Sequence, residues 1–138
     1  SPEDSIQTQL TLNSDIIMAF DECTDYPSTY EVAENSMNLT HRWAKRSVNY
    51  FHENKNGHLL FGIVQGGLHK DLRELSTKYM VEQEYDGYAL GGLAIGETNI
   101  ERKNIVKFTS EILPDDKPKY VMGLGDMHGL VDLIVERS

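Results

Sequence analysis

The chain is poor in the residues that staple small folds. Its 138 residues hold a single cysteine, Cys23, which excludes an internal disulfide framework and any cysteine-rich zinc site. His41, His52, His58, His69 and His128 show no metal-ligand spacing with it. No stretch reaches the roughly 20 apolar residues of a membrane span, so no membrane partner is expected. There is no initiator methionine and no signal peptide, and the expectation is a cytoplasmic chain cut at its start. Basic residues are also scarce. Lys and Arg number 13 against 22 Asp and Glu, a net charge of −9. That balance argues against loose, nonspecific binding of nucleic acid, which needs a basic surface. No repeat or low-complexity segment stands out.

What is present is a regular alternation. A hydrophobic content of 39% is enough for a core, and the length suits about one domain. Ser1-Pro2-Glu3-Asp4 has the chemistry of a helix start, with Ile6 and Leu10 on the buried side. Ile16–Phe20 is a continuous apolar run, as expected of a strand buried on both faces. Ser28 with Glu31 forms a capping-box pattern. Ala33, Met37, Thr40, Ala44, Val48 and Phe51 follow at helical spacing until Asn56-Gly57. A strand is predicted at Leu59–Val64 and a helix through Leu68, Leu72, Leu75 and Tyr79. The next strand is Gly87–Leu90, followed by a helix opened by a Thr98/Glu101 box and carrying Ile105, Thr109 and Ile112. A fourth strand, Lys119–Met122, and a last helix capped by Asp126 and carrying Leu130, Leu133 and Ile134 complete the pattern.

This α-β alternation with four short buried strands predicts a parallel sheet with helical crossovers. An open doubly wound sheet and part of a (β/α)₈ TIM barrel both fit. A whole barrel takes about 250 residues, so residues 1–138 would be a partial barrel domain, with both ends read as cuts.

In either fold, functional groups collect at the carboxyl ends of the strands. Those ends carry Asp21-Glu22-Cys23, Gln65-Gly66-Gly67, Gly91-Gly92-Leu93 with Glu97 close by, and Gly123-Leu124-Gly125-Asp126. The rim as read from sequence has no Lys or Arg, which argues against a tight phosphate site. It has no Ser/His pair, which argues against hydrolase nucleophilic catalysis. A guanine-like edge matches this set. Asp21 can accept its two adjacent N–H donors, Gln65 and the Gly92 N–H can serve its carbonyl, and Met122 offers a polarizable surface for the ring. Bland readings stand beside these. Asp21-Glu22 could cap a loop or ligate a metal in another barrel enzyme, such as a metal-dependent lyase. Cys23 could be an inert buried thiol, and Gln65 a loop amide. The glycines could only make turns or cradle a phosphate, and Met122 could be core. His41-Arg42 and Lys45-Arg46 read as a solvated basic helix face. A noncatalytic module that reads a base or RNA also fits.

Four segments, SDIIMAFDEC (14–23), LFGIVQGG (60–67), DGYALGGLAIGE (86–97) and KPKYVMGLG (117–125), resemble tRNA-guanine transglycosylases, the queuine tRNA-ribosyltransferase family. Cys23 after Asp-Glu, and Ile95 in GGLAIGE, are similar to the bacterial branch. The resemblance implies a (β/α)₈ barrel with an inserted zinc subdomain. The implied reaction exchanges guanine at the tRNA wobble position for 7-aminomethyl-7-deazaguanine in queuosine biosynthesis. It further implies base binding by Asp21, Cys23, Gln65, Gly92, Leu93, Glu97, Met122 and Gly123. Leu93 would present backbone to the aminomethyl arm, and Glu97 would hold that backbone. RNA contacts are implied at Gly123, Leu124, Gly125, Asp126, Met127, His128 and Gly129. Asp-Met-His-Gly at 126–129 departs from the Thr-Pro-Glu-Asp often found there. The nucleophilic Asp, a second essential Asp, the first strands, the last strand and the ligands of one structural zinc would lie outside this chain. No metal or cofactor is expected within it. The implied partners are tRNA, guanine, the deazaguanine base and, for the full-length protein, a second copy in a homodimer.

Overall fold

The computed structural model describes residues 1–54, 57–93 and 95–124. The elements are α1 (Pro2–Thr11), β1 (Ile16–Met18), α2 (Tyr30–Asn54), β2 (Leu59–Val64), α3 (Lys70–Val81), β3 (Gly87–Leu90), α4 (Asn99–Ile112) and β4 (Lys119–Val121). The helix starts at 1 and 98 follow the sequence chemistry. Ser1 and Thr98 each cap their helix in a reciprocal box, with Asp4 and Glu101 respectively. The start of α2 differs from expectation. The Thr29 hydroxyl, not Ser28, accepts the Val32 N–H at 3.2 Å, one residue further along. The expected helix around 126–134 lies outside the described residues.

All strand pairs are parallel, and the sheet order is β1-β2-β3-β4. This order decides between the two candidate folds. A doubly wound sheet reverses its strand order at a switch point, whereas a barrel lays strands down in chain order. The architecture is α/β, with four parallel strands alternating with four helices among the described residues, as in a segment of a (β/α)₈ barrel.

The strands are not equally buried, contrary to the expectation of four buried runs. β2 is buried after its first residue and β3 throughout. In β1 only Ile17 is buried, and in β4 no residue is. The reason is position: β1 and β4 each pair with one neighbour, while β2 and β3 pair on both sides. Both edge strands are also shorter than read from sequence. The ladder nevertheless runs one residue past each, through Ala19 N–H to Phe61 O at 2.9 Å and Met122 N–H to Leu90 O at 3.1 Å. The core between sheet and helices joins Ile6, Ile17, Ala44, Phe51, Leu60, Val64, Met80, Leu90, Ile105 and Val106.

The edges yield a test. Ile16 and Tyr120 are about half exposed on strands that, among the described residues, pair on one side only, and such edges recruit further strands. The 138-residue polypeptide expressed alone is expected to self-associate at high micromolar concentration in light scattering. A stable monomer with a sharp cooperative melt would show that four strands suffice.

Candidate functional site

The carboxyl ends of β1, β2 and β3 converge on one amide. Gln65 follows β2, one of the two inner strands, and is fully buried. Its backbone N–H donates to Ser76 Oγ at 3.2 Å. Its side-chain Nε2 donates to Asp21 Oδ2 at 2.7 Å, which joins the ends of β1 and β2. That bond fixes the amide orientation, because a carboxylate can only accept. It also leaves Gln65 Oε1 with no partner among the described residues.

Space for this buried amide comes from the Gly91-Gly92 turn after β3. A Cβ on Gly91 would lie 2.5 Å from Gln65 Nε2, and one on Gly92 would lie 2.6 Å from Gln65 Oε1. Gly92 also has φ +71°, a conformation that favours glycine. Any side chain at either position would drive the amide out. Gly66 makes room in the same way beneath the rim, where a Cβ would stand 2.8 Å from the Arg73 backbone nitrogen as α3 begins.

Burial of Asp21 raises its carboxyl above the ordinary value, and the Gln65 hydrogen bond partly offsets this. Cys23 stands at the mouth of the site and is exposed, not the buried thiol that one reading allowed. Partial desolvation of the sulfur, then the Asp21 charge, hold its thiol up, while the Gly92 N–H pulls it down. Leu93 is in the core by its side chain. The Glu97 side chain is almost wholly buried. Its Oε2 accepts the Ile95 N–H at 3.1 Å, and its Oε1 lies 3.7 Å from Arg102 Nη1. Glu97 therefore ties down the turn at Ile95, two residues past Leu93. Met122 is half-buried, Gly123 is exposed with φ +78°, and Leu124 is half-buried. Gly125, Asp126, Met127, His128 and Gly129 lie outside the described residues.

Two features were not read from the sequence. The site does have cations, placed beneath the rim. Arg73 is fully buried and donates to Gly67 O, Val64 O and Gly91 O, and Arg102 is mostly buried beside Glu97. Ser76 was also missed. The available signal was a charged and a hydroxyl residue on the apolar stripe of α3, whose buried residues are Leu72, Arg73, Ser76, Thr77 and Met80. Leu75, expected on that stripe, is exposed. The expected basic face of α2 differs as well. His41 stacks on Tyr79 at 4.2 Å and bonds Ser76 Oγ at 3.1 Å. Burial pushes its pKa down to about 4.

Beside the rim, a pocket of about 140 Å³ is lined by Thr24, Tyr26, Gly67, His69, Gly92 and Ile95. A larger cleft of about 900 Å³ lies at the opposite end of the strands, against Leu59, Asp86 and Lys117. The smaller one shares Gly67 and Gly92 with the loops around Gln65, though neither Asp21 nor Gln65 lines it, and the larger one shares none of these residues. No three His, Cys, Asp or Glu side chains among the described residues are grouped to hold a metal, so a metal site built on Asp21 and Glu22 finds no third such ligand there.

A carboxylate with a raised pKa has a sign that can be checked. Between the unfolded value near 3.8 and the raised folded value, the folded state holds the extra proton, so this group's contribution to stability falls as pH rises. Above both values the folded chain bears the full desolvation cost. Asp21→Asn keeps an acceptor for Gln65 and removes that cost. Urea denaturation should find the variant at least as stable as wild type at pH 7, with the difference shrinking toward pH 4. A variant less stable at pH 7 would contradict the assignment.

The family model for queuine tRNA-ribosyltransferase matches residues 1–136. A queuine tRNA-ribosyltransferase of Actinobacillus pleuropneumoniae serotype 3 is 52% identical over 132 residues, which cover 96% of this chain and 35% of that protein. Proteins of the same name from Mannheimia succiniciproducens and Baumannia cicadellinicola are 50% and 48% identical, with 96% of this chain covered and 35% and 36% of theirs. The chain thus spans about a third of the length of the curated relatives it matches. With a match over nearly every residue, the chain belongs to the queuine tRNA-ribosyltransferase family.

Proposed function

We propose that these residues form the base-binding rim of a tRNA-guanine transglycosylase. The full-length protein exchanges guanine at the wobble position of tRNA for 7-aminomethyl-7-deazaguanine. One observation supports this above the others: the Asp21 carboxylate, the Gln65 amide and the Gly92 turn meet at the ends of three adjacent strands. Asp21 accepts the ring N–H and exocyclic amine of the base as a bidentate pair. Gln65 Nε2 has two hydrogens, and the Asp21 bond uses one. The second, with the Gly92 N–H, serves the base carbonyl. As the glycosidic bond breaks, negative charge develops on that carbonyl, and these prepositioned donors stabilise it as an oxyanion hole does. Asp21 must be ionised for recognition, so binding weakens as pH falls through its raised pKa.

Cys23, Leu93, Met122 and Gly123 complete the surround of the base, with Glu97 bracing the turn beside Leu93. Gly123–Gly129 runs along the RNA. The nucleophilic Asp that forms the covalent enzyme–RNA intermediate, and the ligands of one structural zinc, belong to other regions of the full-length protein. The reading places that protein in the cytoplasm as a homodimer.

In the full-length protein, Asp21→Asn is expected to cost about 2–4 kcal/mol of guanine binding, because an amide cannot accept two donors with charge. That is roughly 30- to 1,000-fold in Kd by calorimetry. An unchanged Kd would remove Asp21 from the site. Labelled guanine should enter tRNA with the full-length protein and not with the 138-residue polypeptide; exchange by the latter would place the nucleophile within these residues.

A further inference from the structure

Arg73 lies where the two donor-bearing loops meet. Its side chain is fully buried on α3. Nη1 donates to Val64 O at 3.0 Å, at the end of β2. Nε donates to Gly67 O at 2.8 Å, on the loop after Gln65. Nη2 donates to Gly91 O at 2.8 Å, on the turn that carries Gly92. The Gly91 N–H also donates to Val64 O at 3.0 Å, so Gly91 is held from both sides. Three backbone carbonyl oxygens thus converge on one buried cation, and Val64 O accepts from both it and the Gly91 N–H.

The geometry needs a guanidinium. Three acceptors on two backbone segments, 64–67 and the turn at Gly91, match a planar fork of fixed donors, whereas an ammonium on a flexible stem fixes no relative orientation. Burial lowers the pKa of Arg73 to about 10, and the group stays charged at neutral pH. The neighbourhood leaves little slack: a Cβ on Gly92 would lie 2.6 Å from Gln65 Oε1 and 3.6 Å from Arg73 Nη2.

We propose that Arg73 is a positioning residue for base exchange. By holding Val64, Gly67 and Gly91 on one guanidinium, it sets the gap between the Gln65 amide and the Gly92 N–H into which the base carbonyl fits. The inference rests on the base-binding reading above. It adds that the two donors are held in register by a residue that does not touch the base.

The test is steady-state kinetics of the full-length protein and its Arg73→Lys variant, with guanine and tRNA varied separately. Misplaced donors should raise KM for guanine by about tenfold or more and leave KM for tRNA within about twofold. A variant that only loses active enzyme lowers kcat and moves neither KM; that result, or an unchanged KM for guanine, overturns the proposal. Should the lysine variant fail to fold, crystal structures of the wild-type protein with and without guanine decide. The three carbonyl contacts should persist, and Gln65 and Gly92 should move by less than about 0.5 Å. Contacts broken by the base would overturn the proposal. Wild-type protein that neither binds nor exchanges guanine would remove the base-binding reading and this inference together. Active wild type with an unaffected variant would remove this inference alone.

Discussion

The rim is organised around a polar side chain buried where a parallel sheet ordinarily places an apolar one. Gln65 directly follows β2, one of the two buried inner strands, and burying an amide is costly unless its groups are paired. Ser76 satisfies its backbone, Asp21 takes its side-chain nitrogen, and two glycines on the next turn give it room. Each of these comes from a different element, so the amide fixes the relative placement of β1, β3 and α3. Its oxygen, which has no partner among the described residues, is the residual cost.

Much of the fold was legible because it depends on local patterns. Continuous apolar runs mark β2 and β3, and the Ser1 and Thr98 boxes mark two helix starts. Strand order was not legible. Periodicity reports which residues are buried, not which strand lies beside which, and so it left two folds open until the sheet order was seen. Burial at β1 and β4 was over-read for the same reason: an apolar run does not say whether a strand has one neighbour or two.

The site shows a subtler failure. The strand ends gave Asp21, Gln65 and Gly92, because catalytic groups in this architecture follow strands. What lies beneath them came from α3, and there the helical stripe was read through Leu68, Leu72, Leu75 and Tyr79. The buried face instead runs through Leu72, Arg73, Ser76, Thr77 and Met80. Two of these are hydroxyl residues and one is a cation, so a search for apolar spacing passed over them. The positions that broke the pattern are those that support Gln65 and the Gly91 turn. On an otherwise amphipathic helix, a charged residue on the core-facing stripe is a signal in its own right.

The placement of charge also bears on the kind of ligand the rim suits. The net charge of −9 and the Asp21 carboxylate make the site a poor trap for a bare anion. The cations near it point inward. Arg73 is occupied by three backbone carbonyls, and Arg102 is buried against Glu97. Their charge orders the turns and does not face a ligand. What the rim offers beside them is the half-buried Asp21 carboxylate, the buried Gln65 amide and glycine backbone. Such groups discriminate by the pattern of donors and acceptors on a neutral ring, because each unmatched polar group left in a buried site costs about 1–3 kcal/mol. A phosphate offers only acceptors and would meet the Asp21 carboxylate head on. On the base-binding reading proposed above, a heterocycle with two N–H donors beside a carbonyl complements the Asp21 carboxylate and the donors of Gln65 and Gly92, and the burial that raises the Asp21 carboxyl is what makes a mismatch there costly.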